Sequence, residues 1–181
     1  MKSFWHRFLG NPRVMVGLGW VALVVIVSLF ADVLSPRDPF AISGKPFLTP
    51  GGEFLLGTDS LGRDIFSGLL HGARTTLLIA ILSTLTAVAF GTLVGAVAGY
   101  YGGLIDDVLM RTTEFFQTIP SFLFAIVLIA ILSPSAVNMV TAIAVVSWPP
   151  ITRVVRAEVL SVKSREFVQA AVVIGQKPLR I

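Results

Sequence analysis

The sequence predicts an all-α integral membrane protein with about four transmembrane helices and one further helix lying in the membrane interface. Three observations carry this. Charged residues make up only 13% of the 181 residues and apolar residues 55%, whereas soluble domains carry about 25% charged residues. The mean hydropathy is +0.86. Long uncharged stretches recur, and a helix needs about 20 mostly apolar residues to cross the hydrocarbon core. A water-soluble chain of this size could not hide so much apolar surface, so the solvent for most of it is lipid. Cysteine is absent, which excludes disulfides, thiol nucleophiles and thiolate metal sites.

The first expected span is Val14–Ala31, uncharged between Arg13 and Asp32. A signal peptide would have a shorter apolar region ending in a small-x-small cleavage site. Leu29 and Ala31 do not supply that pair, so an uncleaved span is predicted. The second expected span is Thr75 to about Gly99. The third uncharged stretch, Phe115–Thr152, is too long for one span, and Ser133-Pro134-Ser135 is a turn signal within it. It divides into Phe115–Leu132 and the shorter Ala136–Pro150.

Lys and Arg set the orientation, because positive loops stay in the cytoplasm. The tail, residues 1–13, holds Lys2, Arg7 and Arg13 and no acid. Residues 32–74 are balanced. Residues 151–181 hold Arg153, Arg156, Lys163, Arg165, Lys177 and Arg180 against only Glu158 and Glu166. Both ends are therefore expected inside, as an even number of spans requires. The expected organisation is a cytoplasmic tail (1–13), a first span (14–31), an external loop with an interfacial helix (32–74), three more spans (75–150) and an incomplete cytoplasmic region (151–181).

Within the second span Ser83, Ala87, Gly91, Gly95 and Gly99 recur every four residues. That spacing makes a small-residue groove along one face, where another helix approaches closely in lipid. It predicts that Gly95→Leu impairs assembly and Gly95→Ala much less. Helix packing accounts for the groove without any further function.

Gly57-Thr58-Asp59-Ser60-Leu61-Gly62-Arg63-Asp64 invites comparison with a phosphate-binding loop. A Walker loop needs Lys and then Ser or Thr after its second glycine. Arg63 and Asp64 stand there instead, and a carboxylate repels phosphate. The segment is expected to place Asp59 as the cap of a helix whose apolar face is Leu61, Ile65, Phe66, Leu69, Leu70 and Ala73. Further on, the glycines of Gly99-Tyr100-Tyr101-Gly102-Gly103 permit a tight turn. Asp106 and Asp107 then favour the positive end of the next helix, and Asp107 is spaced to pair with Arg111.

Pro120 in the third span, and Pro149-Pro150 closing the fourth, are expected to kink their helices. Kinked spans are common in transporters, and Gln117 and Asn138 are candidates for a polar path. No ionisable residue is expected deep in a span, so proton or ion coupling has no candidate residue and an intramembrane enzyme lacks its chemistry. His6 and His71 flank spans and are not expected to share a metal. No catalytic, cofactor-binding or metal-binding residue is assigned.

Three ordered blocks carry a resemblance to a known family. The first is Leu56-Gly57-Thr58-Asp59 through Gly62-Arg63-Asp64 to Gly72-Ala73-Arg74. The second runs from Gly95 through Ala98-Gly99-Tyr100-Tyr101-Gly102-Gly103, Asp106 and Met110-Arg111 to Pro120. The third is Trp148, Arg153, Arg156-Ala157, Leu160-Ser161, Lys163 and Glu166-Phe167-Val168-Gln169-Ala170-Ala171 to Gly175. In these blocks, over residues 56–181, the chain resembles a permease subunit of bacterial ABC importers, of the type I fold and the dipeptide/oligopeptide class.

The resemblance implies that the third block is the cytoplasmic coupling loop, which docks on an ATPase subunit through Glu166, Phe167, Gln169, Ala170, Ala171 and Gly175. It implies a second permease subunit, identical or different, two ATPase subunits carrying the ATP, an extracytoplasmic solute-binding protein, and a place in the bacterial inner membrane. No cofactor is then expected on this chain, and no nucleic acid. Gln169 stands where the family usually has Glu, Glu114 where it has Asp, and Pro150-Ile151-Thr152 where it has Gly-aromatic-Ala. The resemblance also implies about two more spans after the loop, so the chain is expected to stop within it. A membrane scaffold without transport activity, needing only the groove and the basic segment, is the alternative.

Overall fold

The computed structural model describes residues 10–176. Lys2, Arg7, Lys177 and Arg180, on which part of the charge argument rests, lie outside them, as does His6. The chain is all-helical between its turns. Its helices are α1 (Pro12–Leu29), α2 (Ala31–Leu34), α3 (Ile65–Tyr101), α4 (Gly103–Thr118), α5 (Ser121–Ile131), α6 (Ala136–Lys163) and α7 (Glu166–Val173). It divides into two compact units, Met1–Leu78 and Ile79–Ile181, with the boundary inside α3.

In the first unit, α1 starts with Asn11 accepting from the Arg13 N–H at 3.1 Å and with Pro12 in the first turn, where its missing N–H costs nothing. Met15, Val16, Trp20, Val21 and Leu23 are all exposed. A helix apolar all round with so little covered surface is one made for lipid.

The loop from 35 to 64 is folded on itself. Thr58 is buried; its hydroxyl donates to the Lys45 carbonyl at 2.6 Å and accepts from the Leu48 N–H at 2.9 Å. Gly57 and Gly62 both adopt positive φ, and a Cβ on either would stand 2.2 Å from a backbone carbonyl, that of Leu48 or of Gly44. The glycines that resembled a phosphate loop are therefore there to bring two stretches of backbone into contact.

Asp59 does not cap the following helix as expected. Its carboxylate accepts from the Leu61 and Arg63 N–H groups within the turn, and these main-chain donors hold its pKa below the ordinary carboxylate value. Asp64 takes the capping role on α3, accepting from the Ser67 N–H and hydroxyl.

Asp32 joins this unit's helices by bonding Arg74 at 2.7 Å and His71 at 3.3 Å. The Arg74 guanidinium, and then His71, lower the Asp32 pKa. A depressed carboxyl contributes stability above its unfolded value and loses it as pH falls through the lowered folded value. Asp32→Asn should therefore raise protease susceptibility of the 35–64 loop modestly at neutral pH. The difference from wild type should vanish in acid once Asp32 is protonated. A difference that persists there would mean that the ion pair is not its source.

The interfacial helix and the second span, expected as separate elements, are one 37-residue helix, α3. His71 and Arg74 signal polar surroundings, but polarity does not end a helix, and Gly72 between them stays inside α3. Gly102 and Gly103, both at positive φ, make the tight turn into α4.

The expected third span is a broken pair. α4 ends at Thr118, Ile119 is extended, and α5 leaves at 83° after Pro120. A residue before proline is driven out of the helical region, so Pro120 gives a corner rather than a kink. Ser133-Pro134-Ser135 turns the chain as expected, with the Ser135 hydroxyl capping the Asn138 N–H at 3.2 Å.

Pro149 and Pro150 do not close the next helix. α6 runs through both to Lys163. Thr152 donates its hydroxyl to the Trp148 carbonyl, and packing on neighbouring helices holds the segment helical, as it does for prolines in other membrane helices. By length and composition α1 and α3 can each cross a membrane, and the bent α4–α5 pair would make a third span. α6 is not among these, because its apolar first half runs on into Arg153 and Arg156.

Candidate functional site

The second unit is built around the small-residue ridge of α3. Ser83, Ala87, Gly91, Gly95 and Gly99 are all buried. The last three lie against α6. A Cβ at Gly91 would stand 2.8 Å from the Trp148 carbonyl oxygen, one at Gly95 2.5 Å from that of Thr152, and one at Gly99 2.9 Å from Val159 Cβ. The Thr152 hydroxyl is shared between the Trp148 and Gly91 carbonyls, 3.1 Å from each. The ridge takes a helix of its own chain, and so closely that the expected tolerance of Gly95→Ala does not survive: even one methyl meets backbone.

α6 is held on its other side by α4. Both oxygens of Asp106 accept from the Arg156 guanidinium, through Nε and Nη2 at 2.5 Å each. Arg153 donates to Gln117 at 2.7 Å, and Lys163 to the Tyr100 carbonyl of α3 at 2.7 Å. Asp106 does occupy the first turn of α4 as expected, but its carboxylate is committed to an arginine fifty residues away. The expected Asp107–Arg111 pair is not among the ion pairs of the described residues.

Two cavities flank these contacts. One, of 420 Å³, is apolar and lies among α3, α4 and α6, with Phe90, Phe116 and Trp148 in its wall. Its rings meet edge to face, Phe90–Trp148 at 5.1 Å and Phe116–Trp148 at 5.4 Å, an arrangement that aromatic quadrupoles favour. The other, of 340 Å³, is polar and is lined by Asp107, Met110, Glu114, Arg153 and Arg156. Of the expected polar-path residues, Gln117 is engaged with Arg153, whereas Asn138 is spent on the Ser133 turn at 2.7 Å.

The basic helix α6 leads into α7 through Ser164 and Arg165. Glu166 sits in the first turn of α7, where its charge suits the positive dipole end. Val168 is buried and anchors the helix, while Phe167 is 64% exposed and Val173 84%. Ala170 is exposed and Ala171 half-buried. Gln169 bonds the Ser164 carbonyl at 3.3 Å.

Gly175 has φ +76 and completes a Schellman cap, with Gln176 N–H on the Ala171 carbonyl and Gly175 N–H on that of Val172, both at 3.0 Å. The six residues expected to form a docking element are thus on one short helix and its cap. A compact helix with an anchored side and an uncovered apolar side is suited to receiving a partner surface.

Residues 91–181 match the family of binding-protein-dependent transport system inner membrane components. The chain belongs to that family. Residues 1–50 also match the N-terminal transmembrane domain of oligopeptide transport permease C.

Among curated relatives, a dipeptide transport system permease protein of Haemophilus influenzae is 36% identical, the match covering 100% of this chain and 64% of that one. A di/tripeptide transport system permease protein of Pseudomonas aeruginosa is 39% identical, over 100% and 62%. An oligopeptide transport system permease protein of Bacillus subtilis is 31% identical, over 99% and 59%. The chain therefore spans about three fifths of the length of these relatives. As a member of this family it is an α-helical membrane protein.

The Asp106–Arg156 pair was not legible in the sequence. Its one signal was an acid and a base on two segments that both proved helical, and nothing local joins them. The aromatic cavity had no periodic signal at all.

Proposed function

We propose that the chain serves as a membrane permease subunit of an ATP-driven, binding-protein-dependent importer of peptides or related small solutes. It would sit in the inner membrane with its N-terminus in the cytoplasm. ATP would be bound by two partner ATPase subunits, and a second permease and an extracytoplasmic binding protein would complete the assembly. The observation that carries this reading is α7: a short helix fixed by Val168 at the end of α6, with Phe167, Val172 and Val173 uncovered and a glycine cap at its far end. Motion of an ATPase against α7 would pass along α6 to the helices packed on it, giving alternating access by movement of packed elements.

The absence of cysteine gives a clean background for the test. Cysteines at Ser43 and Ser60 should react in intact cells with a membrane-impermeant thiol reagent, and one at Ser164 should not. A cysteine at Ala170 should crosslink to the ATPase subunit in a nucleotide-dependent way. Labelling of Ser164 from outside would overturn the orientation. An Ala170 cysteine that never crosslinks to an ATPase would leave the scaffold reading in its place.

A further inference from the structure

Arg156 stands where three helices meet. Its backbone lies against α3: a Cβ at Gly95 would be 3.1 Å from Arg156 N, and one at Gly99 3.0 Å from Arg156 O. Its guanidinium reaches the other way, to both carboxylate oxygens of Asp106 on α4. Its own helix, α6, continues two turns to Lys163 and then enters α7. The Asp106 side chain is 13% exposed and that of Arg156 32%. This is the only ion pair of the second unit among the described residues. A two-bond fork fixes orientation as well as distance, which a lysine at the same place does not.

We infer that the Arg156–Asp106 pair is the joint that carries displacement of α7 to α4 as well as to α3, which makes Arg156 and Asp106 positioning residues for coupling. The inference rests on the function proposed above. Pro149 and Pro150 remove the N–H groups that would bond the Val145 and Val146 carbonyls, so α6 relies there on its packing against Gly91 of α3. Force arriving at Lys163 moves the segment Ile151–Lys163 as a piece. That segment drags α3 along through the interlocked glycines. Its grip on α4 is the ion pair, supported by Arg153 on Gln117. The consequence falls on the apolar cavity, whose walls come from all three helices: Phe90 on α3, Phe116 on α4 and Trp148 on α6. With the joint made, α4 follows the lower part of α6. With it cut, α6 and α3 move together and α4 stays behind.

The test uses Arg156→Lys and Asp106→Asn in the assembled transporter, together with the charge-exchanged pair Asp106→Arg, Arg156→Glu. Spin labels go on the exposed positions Val108 of α4 and Val154 of α6. In wild type the Val108–Val154 distance should stay constant through the nucleotide cycle; in either single variant it should change. Membrane level and the Ala170 crosslink should be unaffected. Solute taken up per ATP hydrolysed should fall about tenfold, within the usual span of coupling energies, and the exchanged pair should recover part of it.

A wild-type distance that changes with nucleotide would sink the inference. So would single variants with unchanged uptake per ATP. Loss of both variants from the membrane, with no recovery in the exchanged pair, would make the contact packing alone. Absence of the Ala170 crosslink in wild type would instead count against the proposed function, leaving the distance measurement to judge the joint.

Discussion

Gly95→Ala should remove most of the folded chain from the membrane, although it adds a single methyl group. The new Cβ would stand 2.5 Å from the Thr152 carbonyl oxygen, 3.0 Å from Val155 Cβ and 3.1 Å from Arg156 N. Two of those three atoms are backbone inside a helix and have no rotamer by which to yield, so α3 and α6 must separate along the whole crossing. Overpacking typically costs about 1–3 kcal/mol, and a backbone neighbour puts this site at the upper end or beyond. Separation would also pull Arg156 from its seat on α3. Gly91→Ala, 2.8 Å from the Trp148 carbonyl oxygen, and Gly99→Ala, 2.9 Å from Val159 Cβ and 3.0 Å from the Arg156 carbonyl oxygen, should follow closely.

The control lies on the same helix. Gly68 and Gly72 have nothing within 4 Å of a Cβ, and alanine is the better helix former by about 0.5–1 kcal/mol. Gly72→Ala should therefore be neutral or slightly stabilising. The measurement is inserted protein by immunoblot, followed by thermal unfolding in detergent. A normal level and midpoint for Gly95→Ala would mean that α3 and α6 are not packed as described.

How much of this was legible in the sequence depended on whether the signal was local. The ridge from Ser83 to Gly99 is a local periodicity, and all five of its residues are buried. What it packs against, and how closely, depends on residues fifty to sixty positions away, so the milder effect expected for alanine does not fit the clearance at Gly95. Ser133-Pro134-Ser135 and Gly102-Gly103 are turns made by their own residues, and the chain turns at both.

Proline divided the two ways. Pro120 breaks the chain because Ile119 before it is free to extend. Pro149 and Pro150 do not, because α6 there is clasped by α3, and tertiary packing overrides local preference. The capping of α3 passed from Asp59 to Asp64 for a similar reason: Asp59 was drawn into a turn that Gly62, at φ +78, closes against Gly44. The helix α7 was the most legible element of this unit. Residues 166–175 hold their own helix, cap and turn with no help from distant segments beyond the anchor at Val168.

That self-sufficiency sets the second large expected effect. Gly175→Leu should abolish solute uptake while leaving the amount of inserted chain unchanged. Nothing lies within 4 Å of a Cβ at Gly175, so no neighbour is displaced and the rest of the fold does not register the change. The cost is in the backbone alone. A left-handed conformation costs an ordinary L-residue about 1–2 kcal/mol, and here it supports both bonds of the cap, Gln176 N–H to the Ala171 carbonyl and Gly175 N–H to that of Val172.

α7 has eight residues, far below the dozen or more at which an isolated helix is even marginal in water, so a penalty of this size is comparable to what holds it together. Its last turn should fray, scattering Val172 and Val173, which are the uncovered apolar contacts, while Val168 keeps the first turn in place. Asparagine tolerates the left-handed region better than leucine does, so Gly175→Asn should retain much of the uptake. Ala171→Trp should fail by a different route, bulk at a half-buried position, and Gly175→Asn would not mimic it. The assay is uptake and ATP hydrolysis in the assembled transporter, with the Ala170 crosslink as reporter: weakened in Gly175→Leu, near normal in Gly175→Asn. Full uptake by Gly175→Leu would remove α7 from the coupling path.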